Sequence, residues 1–401
     1  MPALCAGTSA RVVVIGGGFA GTSCARALKK LDRNIAVTLI EANKTFTALP
    51  MSNSVVAGLR KIDDQQFEYR AIAAAGIDVV IASAKAVDPQ ARQVTLADGK
   101  SIAYDRLVLA PGIDLRWDTI PGYDRAVAEK MPHAWNDGTQ ADLLRRQLSE
   151  MPDGGTVVMS VPVAPARCPP APYERASLIA HYLKVTKPRS KLIVLDAKEN
   201  FSMQRLFQAA WKELYPGLLE WVPLSSGGQV VSVDAPSKTI KTDFDSYRAD
   251  VANIIPPQKA GGITALAGVA DRTGWCPINP NTFESTQQTN IHVIGDAAIS
   301  GSLPKSASAG NSAGKLCAAA VAKMISNEKI AEPELASACY SLVAPGYAIS
   351  ITGKYHPVGD QFIEIEGAGK TSPLDAPPSL RADEARFAYG WFTQITGEVF
   401  G

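Results

Sequence analysis

Residues 11–41 leave this chain little choice of architecture. Val12-Val-Val-Ile15 is a run of four β-branched residues, the signature of a strand buried on both faces in a parallel sheet. The strand runs into Gly16, Gly18 and Gly21, spaced as G-x-G-x-x-G at a strand-to-helix turn. Each glycine has its own task there. The first permits a tight turn, the second lets backbone approach a pyrophosphate, and the third lets the helix expected over Thr22–Lys30 pack on the strand. Val37-Thr-Leu-Ile40 predicts a second buried strand, ending on Glu41, whose carboxylate suits a ribose hydroxyl. Strand, turn, helix and acid in register predict a dinucleotide site.

The rest of the chain must be read locally, because its bulk properties point nowhere in particular. Forty basic residues against thirty-nine acidic leave a net charge of +1, so no field recruits nucleic acid or anionic lipid. No apolar run reaches the roughly 18 to 20 residues of a spanning helix, and the Ala-rich stretch near Ala318 is broken by Lys315 and Lys323. A soluble protein is expected, and Met1-Pro-Ala-Leu-Cys-Ala-Gly7 lacks the basic and apolar regions of a signal peptide. Cysteines 5, 24, 168, 276, 317 and 339 show no C-x-x-C, and histidines 133, 181, 292 and 356 form no ligand pattern, so no metal is expected. Cys24 and Cys317 lie in Ala-rich helical patterns and read as small core residues.

Beyond Glu41, the loop from Asn43 to Asn53 lies at the carboxyl end of a strand, where ligands bind in open α/β sheets. Residues 78–97 alternate like an antiparallel meander, and Tyr104–Gly112 predicts a buried strand that ends in Ala110-Pro-Gly112, returning the chain to the nucleotide. A second β-α-β pattern follows: strand 155–161, helix from about Tyr173 to Lys184, strand 191–196. Its turn, Pro162-Val-Ala-Pro-Ala-Arg-Cys-Pro-Pro-Ala-Pro172, has no glycine, and its prolines lack the N–H groups of a phosphate cradle, so NAD(P) binding is not expected. Ile291-His-Val-Ile-Gly-Asp296 then predicts a strand with an aspartate at its end, before a helix over about Lys305–Ile325. Asp296 reads either as a ligand to a flavin's ribityl hydroxyl or as a helix cap; with the first fingerprint, the flavin reading is preferred. The tail after Ile330 carries a Pro-rich link and the aromatic run Phe387-Ala-Tyr-Gly-Trp-Phe392.

These segments together resemble the flavoprotein subunit of flavocytochrome c sulfide dehydrogenase, a family related to sulfide:quinone oxidoreductases. The resemblance rests on Val14-Ile-Gly-Gly-Gly-Phe-Ala-Gly21, Ala110-Pro-Gly-Ile-Asp114, His133-Ala-Trp135, Cys168-Pro-Pro-Ala-Pro-Tyr-Glu-Arg-Ala-Ser177, Ile294-Gly-Asp-Ala-Ala298, Cys339-Tyr-Ser-Leu-Val-Ala-Pro345 and Trp391. It implies an α/β fold with two Rossmann-like dinucleotide-binding domains, glutathione-reductase-like, and a small α+β C-terminal domain. On this reading residues 1–117 and 253–329 bind FAD, 118–252 form an NAD-domain-like unit without a nucleotide fingerprint, and 330–401 form an interface domain. Gly16, Gly18, Gly21, Glu41, Ala110, Gly112, Asp296 and Trp391 would hold the cofactor.

The resemblance further implies that Cys168 and Cys339 form a redox-active disulfide beside the flavin, with hydrosulfide as substrate and a c-type cytochrome as acceptor, in the periplasm. Thiol exchange by hydrosulfide would leave a persulfide on one cysteine and a thiolate on the other. The alternatives for the two cysteines are a structural crosslink or inert thiols, and their context favours the redox role. Glu174 suits proton transfer near the disulfide, or a helix N-terminus. Trp391 packs either on the flavin or between domains. One residue departs from the pattern: many members attach FAD through a cysteine three residues before a Ser-Asn pair, and here Leu49 stands before Ser52-Asn53. Leucine forms no thioether, so non-covalent FAD is expected. A quinone reductase and an electron-transfer flavoprotein without sulfide activity are the alternatives.

Overall fold

The computed structural model describes residues 9–136 and 138–401, so the opening heptapeptide and Cys5 lie outside it. The first unit opens with β1 (Arg11–Ile15), α1 (Phe19–Leu31) and β2 (Ala36–Glu41), followed by β3 (Asp78–Ile81) and β4 (Arg106–Leu109). The second comprises β5 (Thr156–Val161), α2 (Ala171–Thr186), β6 (Lys191–Asp196), β7 (Leu219–Val222) and β8 (Val251–Asn253). The chain then returns to the first unit with β9 (Ile291–Val293) and α3 (Ala307–Ile325), and ends in β10 (Leu335–Ala344), β11 (Tyr347–Val358), β12 (Gln361–Glu364) and α4 (Pro378–Phe400).

Two parallel sheets result. The first has the order β9-β4-β1-β2-β3, the second β7-β6-β5-β8, and every pairing within them is parallel. Val12–Ile15 sit at the centre of the first sheet and are buried throughout, as a two-sided strand requires. The α1 helix starts at Phe19, earlier than Thr22, because Gly18 is already its cap. Residues 78–97 are not one meander. Asp78–Ile81 extends the parallel sheet beside β2, and the antiparallel meander is 84–88, 93–96 and 101–103. A four-residue edge strand and a hairpin strand share the same period of two, so only the partner distinguishes them.

The tail forms an antiparallel sheet capped by α4, and its core is continuous with that of the first unit. Leu335, Leu342, Phe362, Phe392 and Phe400 belong to the cluster that contains β1 and β4. Phe400 packs edge-on against Phe19 at the start of α1 and stacks on Phe46 and Phe67, each 5.1 Å away. No helix among the described residues is long and apolar enough to cross a membrane.

Candidate functional site

The glycine turn shapes one end of a cleft. Gly16 has φ +104°, and a Cβ there would collide with the carbonyl oxygen of Ala110; Gly21 is held against Gly16 in the same way. These contacts bring the turn after β1 against the turn after β4, so that Gly16, Gly18, Ala110 and Gly112 line a single cavity of about 680 Å³ with Glu41 and Asp296. Glu41 accepts hydrogen bonds from the Gly17 amide at 2.8 Å and the Asn43 amide at 2.9 Å. No side chain caps α1, so its first N–H groups are left for a phosphate. The length and chemistry of the cleft therefore fit a dinucleotide such as FAD. At the far end, Asp296 pairs with Arg167 at 2.7 Å, a partner not expected from the sequence. Leu49 lines this cleft and also a smaller pocket of about 90 Å³ beside it.

Cys168, Cys339, Glu174 and Trp391, far apart in sequence, all line that smaller pocket. Cys168 comes from the proline-rich turn after β5 and has φ +51°, a left-handed conformation that costs a non-glycine residue about 1–3 kcal/mol. Its amide donates to the Lys305 carbonyl at 2.6 Å and its carbonyl accepts from Ala171 at 2.9 Å, and these two bonds hold the turn. Cys339 comes from β10. The two are free thiols here and face each other closely enough to hydrogen-bond. Their charge preferences are opposite. The bond with Cys339 and burial push the Cys168 thiol well up, whereas donation from Cys168 and from the Ser306 and Ser337 hydroxyls draws Cys339 down.

Glu174 stands in the first turn of α2 but is buried, not solvated at the helix end. Burial pushes its carboxyl up to about 7, against the pull of hydrogen bonds from the Leu342 amide and Asn53 and of the neighbouring Arg175. The bonds measure 2.9 Å and 2.7 Å. A raised carboxyl pKa has a definite sign for stability. Between about 4.5 and about 7 the folded chain keeps a proton that the unfolded chain has lost, so stability falls as pH rises through that window. Glu174→Gln should flatten the pH 5–8 slope of unfolding free energy by about 2 kcal/mol. Chemical denaturation at both pH values checks this, and an unchanged slope would remove Glu174 as the titrating group.

Arg175 is the residue that sequence reasoning passed over. It is 1% exposed, and its guanidinium donates to Asn53 Oδ1 (2.9 Å), the His133 carbonyl (2.9 Å), Asn253 Oδ1 (3.2 Å) and the Ala134 carbonyl. Asn53 is the link: its Oδ1 accepts from Arg175 while its Nδ2 donates to Glu174. The available signal was a charged residue at the head of the Ala176-Ser-Leu-Ile-Ala180 run in α2. Trp391 lies on α4, half-buried, 6.2 Å from the Tyr340 ring that follows Cys339.

The second sheet ends differently. Asp196, at the end of β6, is fully buried and accepts from the Tyr173 hydroxyl (2.6 Å) and Trp221 Nε1 (3.0 Å) while pairing with Lys198 (2.8 Å). Phe201 stacks on Tyr173 with ring centres 3.6 Å apart. The acid that would meet a nucleotide ribose thus has all its neighbours within the protein. Elsewhere Cys24 and Cys317, one on α1 and one on α3, are fully buried against each other.

A family model for the sulfide dehydrogenase (flavocytochrome c) flavoprotein chain, central region, matches residues 141–256, and one for flavocytochrome c sulphide dehydrogenase, flavin-binding, matches 331–400. A pyridine nucleotide-disulphide oxidoreductase model matches 10–158. A sulfide dehydrogenase flavoprotein chain from Chlorobaculum thiosulfatiphilum is 56% identical over 45 residues, 11% of this chain and 94% of that sequence. Mouse mitochondrial sulfide:quinone oxidoreductase is 21% identical over 300 residues, 71% of this chain, and the chain spans 65% of its length. The solved structure of sulfide:quinone oxidoreductase from Aquifex aeolicus superposes with a TM-score of 0.74 at 18% identity, covering 97% of this chain and 92% of that one, which shows the shared two-dinucleotide-domain fold. The chain is a flavoprotein related to the sulfide dehydrogenases and sulfide:quinone oxidoreductases, with central and C-terminal regions that match the flavocytochrome c sulfide dehydrogenase models.

Proposed function

We propose that this chain oxidises hydrosulfide through a disulfide formed by Cys168 and Cys339, with non-covalently bound FAD, and delivers the electrons to a c-type cytochrome in the periplasm. The observation that carries the reading is the convergence of the two thiols in a small pocket adjoining the dinucleotide cleft. Gly16, Gly18, Gly21, Glu41, Ala110, Gly112 and Asp296 are the residues to hold FAD, and Trp391 borders it on the pocket side. FAD, when bound, takes up an electron pair and returns it in single steps.

The protein's own part is exchange chemistry. Hydrosulfide forms a bond to one sulfur of the Cys168–Cys339 disulfide, the S–S bond breaks, and the products are a cysteine persulfide and a thiolate. Hydroxyls of Ser306 and Ser337 favour negative charge on Cys339. Glu174, titrating near neutrality, is suited to receive the proton that hydrosulfide gives up. Asn53 and Arg175 hold that carboxyl in place. NAD(P) has no part in this reading, because Asp196, bonded to Tyr173 under the Tyr173–Phe201 stack, is already engaged at the carboxyl end of β6.

One anaerobic experiment tests the proposal. Sulfide should bleach the oxidised flavin band, NADH should not, and cytochrome c should restore the band faster than a soluble quinone does. Acid precipitation of the same sample should release all the flavin, since Leu49 offers no thioether. Preferential reoxidation by quinone would move the chain to the other branch of its relatives. A flavin indifferent to sulfide would leave it an electron carrier.

A further inference from the structure

Two neighbouring residues at the start of α3 reach both cysteines of the small pocket. The Lys305 carbonyl accepts from the Cys168 amide at 2.6 Å, and the Ser306 hydroxyl donates to Cys339. Ser306 also caps α3, accepting from the Ala309 amide at 3.2 Å, so the helix fixes its hydroxyl. Cys168 stands in the left-handed region at φ +51°, a conformation that persists only where surrounding contacts hold it. Whatever places residues 305 and 306 therefore sets the register of the two cysteines.

The Lys305 side chain is the anchor of that segment. Its ammonium donates to the carbonyls of Asp296 (2.8 Å) and Ala298 (2.7 Å), in the turn after β9, and lies over the Trp275 ring, 4.2 Å from its centre. The Asp296 carboxylate pairs in turn with Arg167, the residue before Cys168. A closed ring results. It runs from the Cys168 amide to the Lys305 carbonyl, from the Lys305 ammonium to the Asp296 carbonyl, and from the Asp296 carboxylate to Arg167, then back along the chain to Cys168. Asp296, Arg167 and Ser306 line the dinucleotide cleft, while Arg167, Cys168 and Ser306 line the cysteine pocket, so the ring spans the boundary between the two. Burial pushes the Lys305 ammonium down against the pull of Asp296 and Cys276, and a cation that burial opposes contributes little to folding. Its two bonds act on geometry.

We propose that Lys305 is a positioning residue: through its two carbonyl bonds it holds the start of α3 so that Cys168 and Cys339 stay in register with each other and with the dinucleotide cleft. The consequence for catalysis rests on the sulfide reading above, whereas the register of the thiols does not. The ammonium takes no part in the sulfur chemistry itself.

Lys305→Met keeps the unbranched stem and removes the charge. Flavin-loaded parent and variant are equilibrated in glutathione redox buffers, trapped by alkylation, and read at the Cys168 and Cys339 peptides. The disulfide of this pair should be about 10- to 100-fold less favoured in the variant, a potential about 30 to 60 mV higher. The limiting rate of sulfide bleaching should fall about 10- to 100-fold, the effect of a displacement near 1 Å, while the half-saturating sulfide concentration stays within about threefold. Lys305→Arg, whose fork also donates to two carbonyls, should recover part of both losses. A disulfide in Lys305→Met as stable as the parent's, within about threefold, overturns the proposal; so does a lowered urea midpoint with an unchanged potential, the pattern of a merely structural lysine. Hydrogen exchange on the parent needs no variant to fold. The prolines leave Arg167, Cys168 and Ala171 as the exchangeable amides between residues 167 and 172, and each of them is bonded. They should exchange as slowly as the amides of β5, and exchange at the rate of an open loop overturns the ring. A potential that shifts in Lys305→Met while the parent's flavin ignores sulfide would uphold the positioning role and sink the sulfide reading instead.

Discussion

Cys168→Ser and Cys339→Ser should each slow sulfide-dependent flavin bleaching by at least about 1000-fold while leaving the flavin content of the purified protein intact. Hydrosulfide is a nucleophile and requires an electrophilic sulfur; a serine hydroxyl facing a lone thiol offers none. The substitution is small, and both positions are half-buried, so packing changes little. The competing view, a purely structural crosslink, predicts the reverse pattern. Closing the chain between residues 168 and 339 would then contribute roughly 5 kcal/mol by the chain-entropy model, and serine would lower stability while bleaching persisted. Stopped-flow absorbance alongside denaturant unfolding separates the two, because one view puts the loss in rate and the other in stability. Retention of fast bleaching in either variant would sink the disulfide mechanism.

Arg175→Leu should lower the unfolding free energy by about 4 kcal/mol, the largest effect on stability expected from any single change at the site. Leucine fills most of the volume but leaves Asn53, Asn253 and two main-chain carbonyls facing a donor that is no longer there. Each such buried acceptor costs about 1–3 kcal/mol when unpaired, reduced where the loops relax. The four acceptors belong to three separate stretches of chain, around residues 53, 133–134 and 253, and Arg175 itself is on α2. Its loss therefore loosens the contact between the two units as well as the Glu174 carboxyl. Arg175→Lys should recover less than half of the difference, because one ammonium cannot present the planar fork that reaches several acceptors at once. Urea midpoints of the three proteins decide the matter, and a leucine variant within about 1 kcal/mol of the parent would show that the hub is dispensable.

The residues that were legible in the sequence share one property: their role is written in their immediate neighbours. Val12–Ile15 followed by Gly16, Gly18 and Gly21 can hardly be anything but a buried strand entering a tight turn, since strand burial and turn sterics act over a few residues. The same holds for Glu41 at the end of β2 and for the glycine-free turn at 162–172. The Cys168–Cys339 pairing was accessible only through the resemblance of the surrounding segments, for nothing in local spacing joins a turn after β5 to a strand of the tail.

What tertiary structure decided lies in contacts between distant segments. Asp78–Ile81 joined the parallel sheet because β2 offered it an open edge, a choice its own period of two left undetermined. Asp296 met Arg167, and Asp196 was enclosed by Tyr173, Trp221 and Lys198, although a carboxylate at the end of a β-strand looks the same in either setting until its partners arrive. Glu174 could have been a solvated residue of a helix start; burial under β10 raised its carboxyl to about 7 against the opposing pull of the bonds from Leu342 and Asn53. Backbone geometry is dictated over a few residues, whereas desolvation and the pairing of charges depend on which remote surfaces exclude water together.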